Sequence, residues 1–74
     1  MPKLPRIKPK KLISILKKNG FIIDRIHGSH YILYRDKDNL IVTVQFHNHD
    51  LKLKTLSTIL KQTKLSVNEL VDLL

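Results

Sequence analysis

Residues 21–46 read FIIDRIHGSHYILYRDKDNLIVTVQF, and this stretch decides the fold. Phe21 to Ile26 is rich in β-branched and aromatic side chains, the composition of a strand. His27-Gly28-Ser29 breaks it, and His30 to Arg35 reads as a second strand. Asp36-Lys37-Asp38-Asn39 is polar turn chemistry, so strands two and three are predicted to form a hairpin. Leu40 to Phe46 gives the third strand. Its alternation puts Val42, Val44 and Phe46 on one face, assigned to the core, and Thr43 and Gln45 on the other.

Working outward, Pro9 suits the first turn of a helix, where its missing N–H costs nothing. Leu12, Ile13, Ile15 and Leu16 then recur at helical spacing, with Lys10, Lys11, Lys17 and Lys18 mostly on the other side. Asn19-Gly20 ends that helix, with Gly20 taking the left-handed position. Met1 to Lys8, with Pro2 and Pro5, reads as irregular. Beyond the strands, His47-Asn48-His49-Asp50 is a polar loop, and Leu56, Ile59 and Leu60 mark an amphipathic helix from about Lys54 to Thr63. Ser66 and Glu69 form a capping-box pair before a last short helix, with Leu65 placed to staple onto Leu70. Leu70, Leu73 and Leu74 give that helix an apolar face. The predicted class is α+β, in the order α-β-β-β-α with a short C-terminal helix. Helices can cover only one face of such a sheet.

Composition narrows the function. Seventy-four residues allow one domain, and 42% apolar residues allow one small core. The chain has no cysteine, which excludes disulfides and thiolate zinc sites and fits a reducing cytosol. The apolar runs Phe21-Ile22-Ile23 and Tyr31-Ile32-Leu33-Tyr34 fall far short of the ~20 residues that span a bilayer, and no apolar stretch follows Met1 as a signal peptide requires. Fourteen Lys+Arg against six Asp+Glu give a net charge of +8. Lys3, Arg6, Lys8, Lys10, Lys11, Lys17 and Lys18 crowd the first quarter of the chain, which holds no acid. Such a block is either a solvated face or a phosphate-contacting surface. A surface this basic points to polyanions, with nucleic acid ahead of an acidic protein or an anionic membrane.

Four histidines are the side chains whose ordinary titration lies near neutrality. Gly28-Ser29-His30 puts one of them at the first position of a strand, beside a hydroxyl and a turn glycine. A turn histidine is usually only solvated. In a basic protein it can also act as general base on an RNA 2′-hydroxyl or as general acid to the 5′-oxygen. That reaction needs no metal, because the 2′-hydroxyl is a built-in nucleophile, and its first product is a 2′,3′-cyclic phosphate. Lysines and arginines would stabilise the charge that develops on phosphorus. His47-Asn48-His49 with Asp50 has chelating spacing but no evident fourth ligand, and reads better as hydrogen-bonding loop residues. His27 reads as solvated, Asp36 and Asp38 as turn formers, and Tyr31 and Tyr34 as either core or base-stacking residues. There is no Gly-rich phosphate loop and no nucleophile elbow.

Taken together, the pieces resemble the HicA family of mRNA interferase toxins. The matching stretches are Leu12 to Phe21, Gly28-Ser29-His30, the Ile41 to Val44 strand ending near His47, Leu51 to Leu56 leading into Ile59-Leu60-Lys61-Gln62, and Ser66 to Leu70. They cover about residues 8 to 72, in order and at compatible distances. The resemblance implies a double-stranded-RNA-binding-domain-like α-β-β-β-α fold, as a single domain over residues 1–74 with residues 1–7 an irregular basic extension. It implies a cytoplasmic, ribosome-independent endoribonuclease that cleaves mRNA with no metal and no cofactor. The family's catalytic histidine maps onto His30, with Gly28 forming the turn and Ser29 positioning His30 or bonding the phosphate. The second proton-transfer group stays open between His47, a lysine and water. Lys10, Lys11, Lys17, Lys18, Lys52, Lys54 and Lys61 are the expected RNA contacts, with Lys64 beside them. The implied partners are the mRNA substrate and a HicB-like antitoxin that masks the active site; no membrane is involved. Two departures stand out. The family's Val-Pro-x-His reads Val44-Gln45-Phe46-His47 here, so Gln45 can carry the strand further, and the glycine before Thr-Leu is Lys54. Two other readings remain: a non-catalytic RNA-binding module, and a degenerate toxin that only binds its antitoxin.

Overall fold

A computed structural model describes residues 4–74. Met1, Pro2 and Lys3, part of the expected irregular extension, lie outside the described residues. Leu4 to Lys8 forms neither helix nor strand, yet Ile7 is buried and its carbonyl accepts the Leu51 N–H at 2.8 Å.

Helix α1 spans Pro9–Lys18 and buries Leu12, Ile13, Ile15 and Leu16. Its end is a Schellman motif. Gly20, at φ +92°, donates to the Lys17 carbonyl, and Phe21 donates to the Leu16 carbonyl, each at 3.1 Å. This turn delivers Phe21 into the core and starts the sheet. Strands β1 (Ile22–His27), β2 (His30–Arg35) and β3 (Leu40–Gln45) form an antiparallel sheet in the order β1-β2-β3. Helix α2 spans Leu53–Thr63 and helix α3 Val67–Asp72. The architecture is thus the α-β-β-β-α order read from sequence, with the short terminal helix.

The strands differ from that reading at four points, each for a local reason. Phe21 was expected to open the first strand; its N–H instead closes the α1 turn on the Leu16 carbonyl, and β1 starts at Ile22. His27 was expected to break the first strand. It belongs to β1, because a two-residue turn at Gly28-Ser29 needs residues 27 and 30 as its flanking pair. Phe46 was expected inside β3. The strand stops at Gln45; Phe46 instead donates its N–H to the Ser29 carbonyl at 2.6 Å and stacks its half-buried ring on Tyr31, with centroids 4.8 Å apart. The β1–β2 register also shifts between Ile23 and Arg25, leaving Asp24 as an unpaired bulge residue.

Leu33, Val42 and Val44 are the fully buried strand residues, and they pack with α1, with Leu56, Ile59 and Leu60 of α2, and with Leu70 of α3. Arg35 locks the end of the molecule away from the Gly28 turn. Its guanidinium donates to both Asp38 carboxylate oxygens at 2.9 and 2.8 Å, to the Asn19 carbonyl at 3.0 Å and to the Thr63 carbonyl at 3.4 Å. It also lies over the Phe21 ring, 4.7 Å from its centroid. The Arg35 hydrogen bond holds the Asp38 carboxyl below the ordinary carboxylate range. Among the described residues only one sheet face is covered: Ile22 and Ile41 are 61% and 63% exposed.

Candidate functional site

The uncovered face can be read row by row from the register. Leu33 is buried, so alternation along β2 sends His30, Ile32 and Tyr34 to the opposite face. Each has a directly opposite partner on either side. The first row is Ile22, Tyr34 and Ile41; the second is Arg25, Ile32 and Thr43; the third, at the turn end of the sheet, is His27, His30 and Gln45. Residues directly opposite one another bring their Cβ atoms to within about 5 Å. The bulge at Asp24 makes this arrangement possible. Without the extra residue, Arg25 and His27 would keep the parity of Ile23 and point to the core.

Gly28 has φ +57° and Ser29 has no positive φ, the pattern of a type II′ turn with glycine first. A side chain at Gly28 would meet no atom within 4 Å, so backbone conformation alone calls for glycine there. His27, Ser29 and His30 are all exposed. The Ser29 carbonyl, held by Phe46, fixes the turn against β3. One row back, Arg25 Nε lies 3.3 Å from the Asp24 carboxylate at the exposed surface. In the far row, the Tyr34 hydroxyl lies 3.1 Å from Asp36 Oδ1 and 2.8 Å from Asn39 Oδ1, and its bond to Asp36 pushes the phenol above its usual value.

Of the other candidate residues, His47 is half buried in the loop after β3, and its Nδ1 accepts the His49 N–H at 3.1 Å. The two rings stand 5.6 Å apart. This is the hydrogen-bonded loop reading, and among the described residues no three His, Cys, Asp or Glu side chains gather as metal ligands would. The lysines divide among separate surfaces. Lys10 and Lys17 of α1 flank a groove of about 300 Å³ on the helix side of the sheet, floored by Ile23, Tyr31 and Phe46. Lys11, Lys18 and Lys52 are exposed outside it. Lys61 and Lys64 border a hollow between α2 and α3. Lys54 lines a groove with Thr43, Thr58 and Gln62. Thr43 belongs to the second row of the open face, so Lys54 is the lysine that the structure joins to the side of the sheet bearing His30.

Sequence reasoning missed His27 as a neighbour of His30 and treated it as a lone solvated residue. The signal was present: two histidines separated by Gly-Ser flank a two-residue turn and must pair. It also missed Arg35, whose partners lie 3, 16 and 28 positions away.

No curated protein matches the chain. A family model described as the HicA toxin of bacterial toxin–antitoxin systems matches residues 9–65, from the start of α1 to the residue before the α3 cap. That span holds the helix, the whole sheet, the Gly28-Ser29-His30 turn and α2, and on this ground the chain belongs to the HicA toxin family, whose members pair with an antitoxin.

Proposed function

We propose that this toxin is an endoribonuclease that cleaves mRNA by attack of the 2′-hydroxyl on the adjacent phosphate, with His30 moving a proton. The observation that carries this reading is the position of His30, exposed at the first residue of β2, beside a glycine turn, on the one sheet face that no helix covers. A single-stranded RNA can approach that face directly. Arg25 one row behind, and Lys54 at the β3 edge, supply positive charge for phosphates. The antitoxin is of the HicB type and inhibits by covering this face. The exposed Ile22 and Ile41 give it apolar surface to bury on the same face, two rows from the histidines.

The test is incubation of purified toxin with a defined mRNA in EDTA, with mapping of the ends. Cleavage should leave 2′,3′-cyclic phosphate and 5′-hydroxyl termini. His30→Ala should reduce the rate by about 100-fold or more, the usual scale of an acid–base contribution, while RNA affinity stays unchanged. Adding the antitoxin in excess should stop cleavage by the wild type. Wild-type protein that binds RNA and never cuts it across a range of salt and pH would instead mark a binding module.

A further inference from the structure

Transesterification of RNA moves two protons, and the reading above assigns only one group to them. We infer that His27 and His30 act as a pair, and that His27 is the second proton-transfer residue. This rests on the proposed ribonuclease activity and deepens it. The β1–β2 register places the two residues directly opposite each other across the Gly28-Ser29 turn. Both are exposed and the register puts both on the uncovered face, so their Cβ atoms stand about 5 Å apart on separate strands. This is the scale of one phosphodiester. The hairpin fixes their backbones, while the exposed rings keep the freedom to meet opposite sides of a phosphorus atom.

The pair gains nothing obvious for folding. Two exposed imidazoles bury little apolar surface, and when both are protonated they repel. The alternative partner, His47, stands beyond the last ladder residue and has one ring nitrogen engaged by the His49 N–H. The groups around the pair are few. Gln45 flanks it on β3, Arg25 stands one row behind with the Asp24 carboxylate beside it, and His47 and His49 follow Gln45 in the next loop. Arg25 is placed to balance the charge that accumulates on the non-bridging phosphate oxygens.

The step balances with these residues alone. The neutral imidazole of the pair accepts the 2′-hydroxyl proton as the bond from the 2′-oxygen to phosphorus forms. The protonated imidazole donates to the 5′-oxygen as its bond to phosphorus breaks. A cyclic phosphate and a free 5′-hydroxyl leave, and solvent restores the original protonation.

The experiment compares wild type, His27→Gln and His30→Ala on an ordinary oligoribonucleotide and on one with sulfur replacing the bridging 5′-oxygen at the scissile link. Sulfur leaves without needing a proton, so it makes the general acid dispensable. The wild type should show a bell-shaped pH–rate profile on the ordinary substrate. His27→Gln should lose about 100-fold or more in rate. It should also lose one limb of the bell, with RNA affinity and thermal melt unchanged. On the sulfur substrate one of the two single variants should recover to near the wild-type rate and the other should not, which also tells acid from base. His27→Gln that keeps a third or more of the wild-type rate and both limbs overturns the pair. So does a slow His27→Gln with neither variant recovering on sulfur, since His27 would then act only on binding or orientation. In both of these cases an inactive His30→Ala leaves the ribonuclease reading standing. A wild type that cuts neither substrate removes that reading itself.

Discussion

Lys64 ends α2 at φ +58°, a left-handed conformation that a side chain with a Cβ adopts at a cost. The turn is otherwise the same device that closes α1, with Leu65 donating to the Leu60 carbonyl at 3.0 Å. Lys64→Gly should therefore stabilise the protein by about 0.5–1 kcal/mol, read as a higher urea midpoint. The small attraction between Lys64 and the exposed side of Asp38 works against this gain but is screened by solvent. Asp38 carries its own consequence. Its folded-state value is depressed, chiefly by the Arg35 hydrogen bond, so its contribution is complete above the ordinary carboxylate range and is lost as pH falls through the lower folded value. Urea midpoints of wild type and Asp38→Asn should differ at pH 6 and converge as the pH is taken below about 4. A gap that stays constant with pH would mean that the charge of Asp38 is irrelevant.

At the scale of elements, the short helix α3 depends on its start. Ser66 Oγ accepts the Glu69 N–H at 3.1 Å, and Glu69 Oε1 accepts the Ser66 N–H at 3.2 Å. Six residues cannot sustain a helix by themselves, so Ser66→Ala should lower global stability by about 1 kcal/mol and expose Leu70, detectable by amide exchange confined first to residues 67–72. This cap was legible in the sequence, as were the Gly20 stop and the Val42–Val44 core face, because each follows from neighbours within four positions. The β1–β2 bulge was not. Nothing in Ile23-Asp24-Arg25 announces an extra residue, since the bulge exists only as a mismatch with β2. The pairing of His27 with His30 was readable from the two-residue Gly28-Ser29 turn, but how His27 reconciles with the parity of Ile23 was not, because that depends on the mismatch. Arg35 failed for a similar cause: a strand-end arginine looks the same whether it meets solvent or gathers the ends of two helices.

Across the whole molecule, the two faces of the sheet have divided the work. One holds the helices and the core, and the other is left for RNA and the antitoxin in the reading given above. The same division explains why the lysines are scattered. Their places on α1 and α2 follow the outward sides of helices that serve the core, while Lys54 shares a groove with Thr43 of the open face.

Ile7 and Leu70 sit in the core, yet both fall outside the segment by which the family is recognised. Kinship is legible between positions 9 and 65, but cohesion reaches further in both directions. A chain trimmed to the recognised span forfeits a buried aliphatic residue at each margin, each worth about 2–5 kcal/mol by the usual scale of core deletions. A domain this small has little more than that to spare. Circular dichroism of the trimmed chain should show a broad, uncooperative melt, and a sharp transition near that of the intact protein would mean that the margins are ornamental. Anyone grafting this toxin into a fusion by copying the matched stretch should expect the seams to give way first.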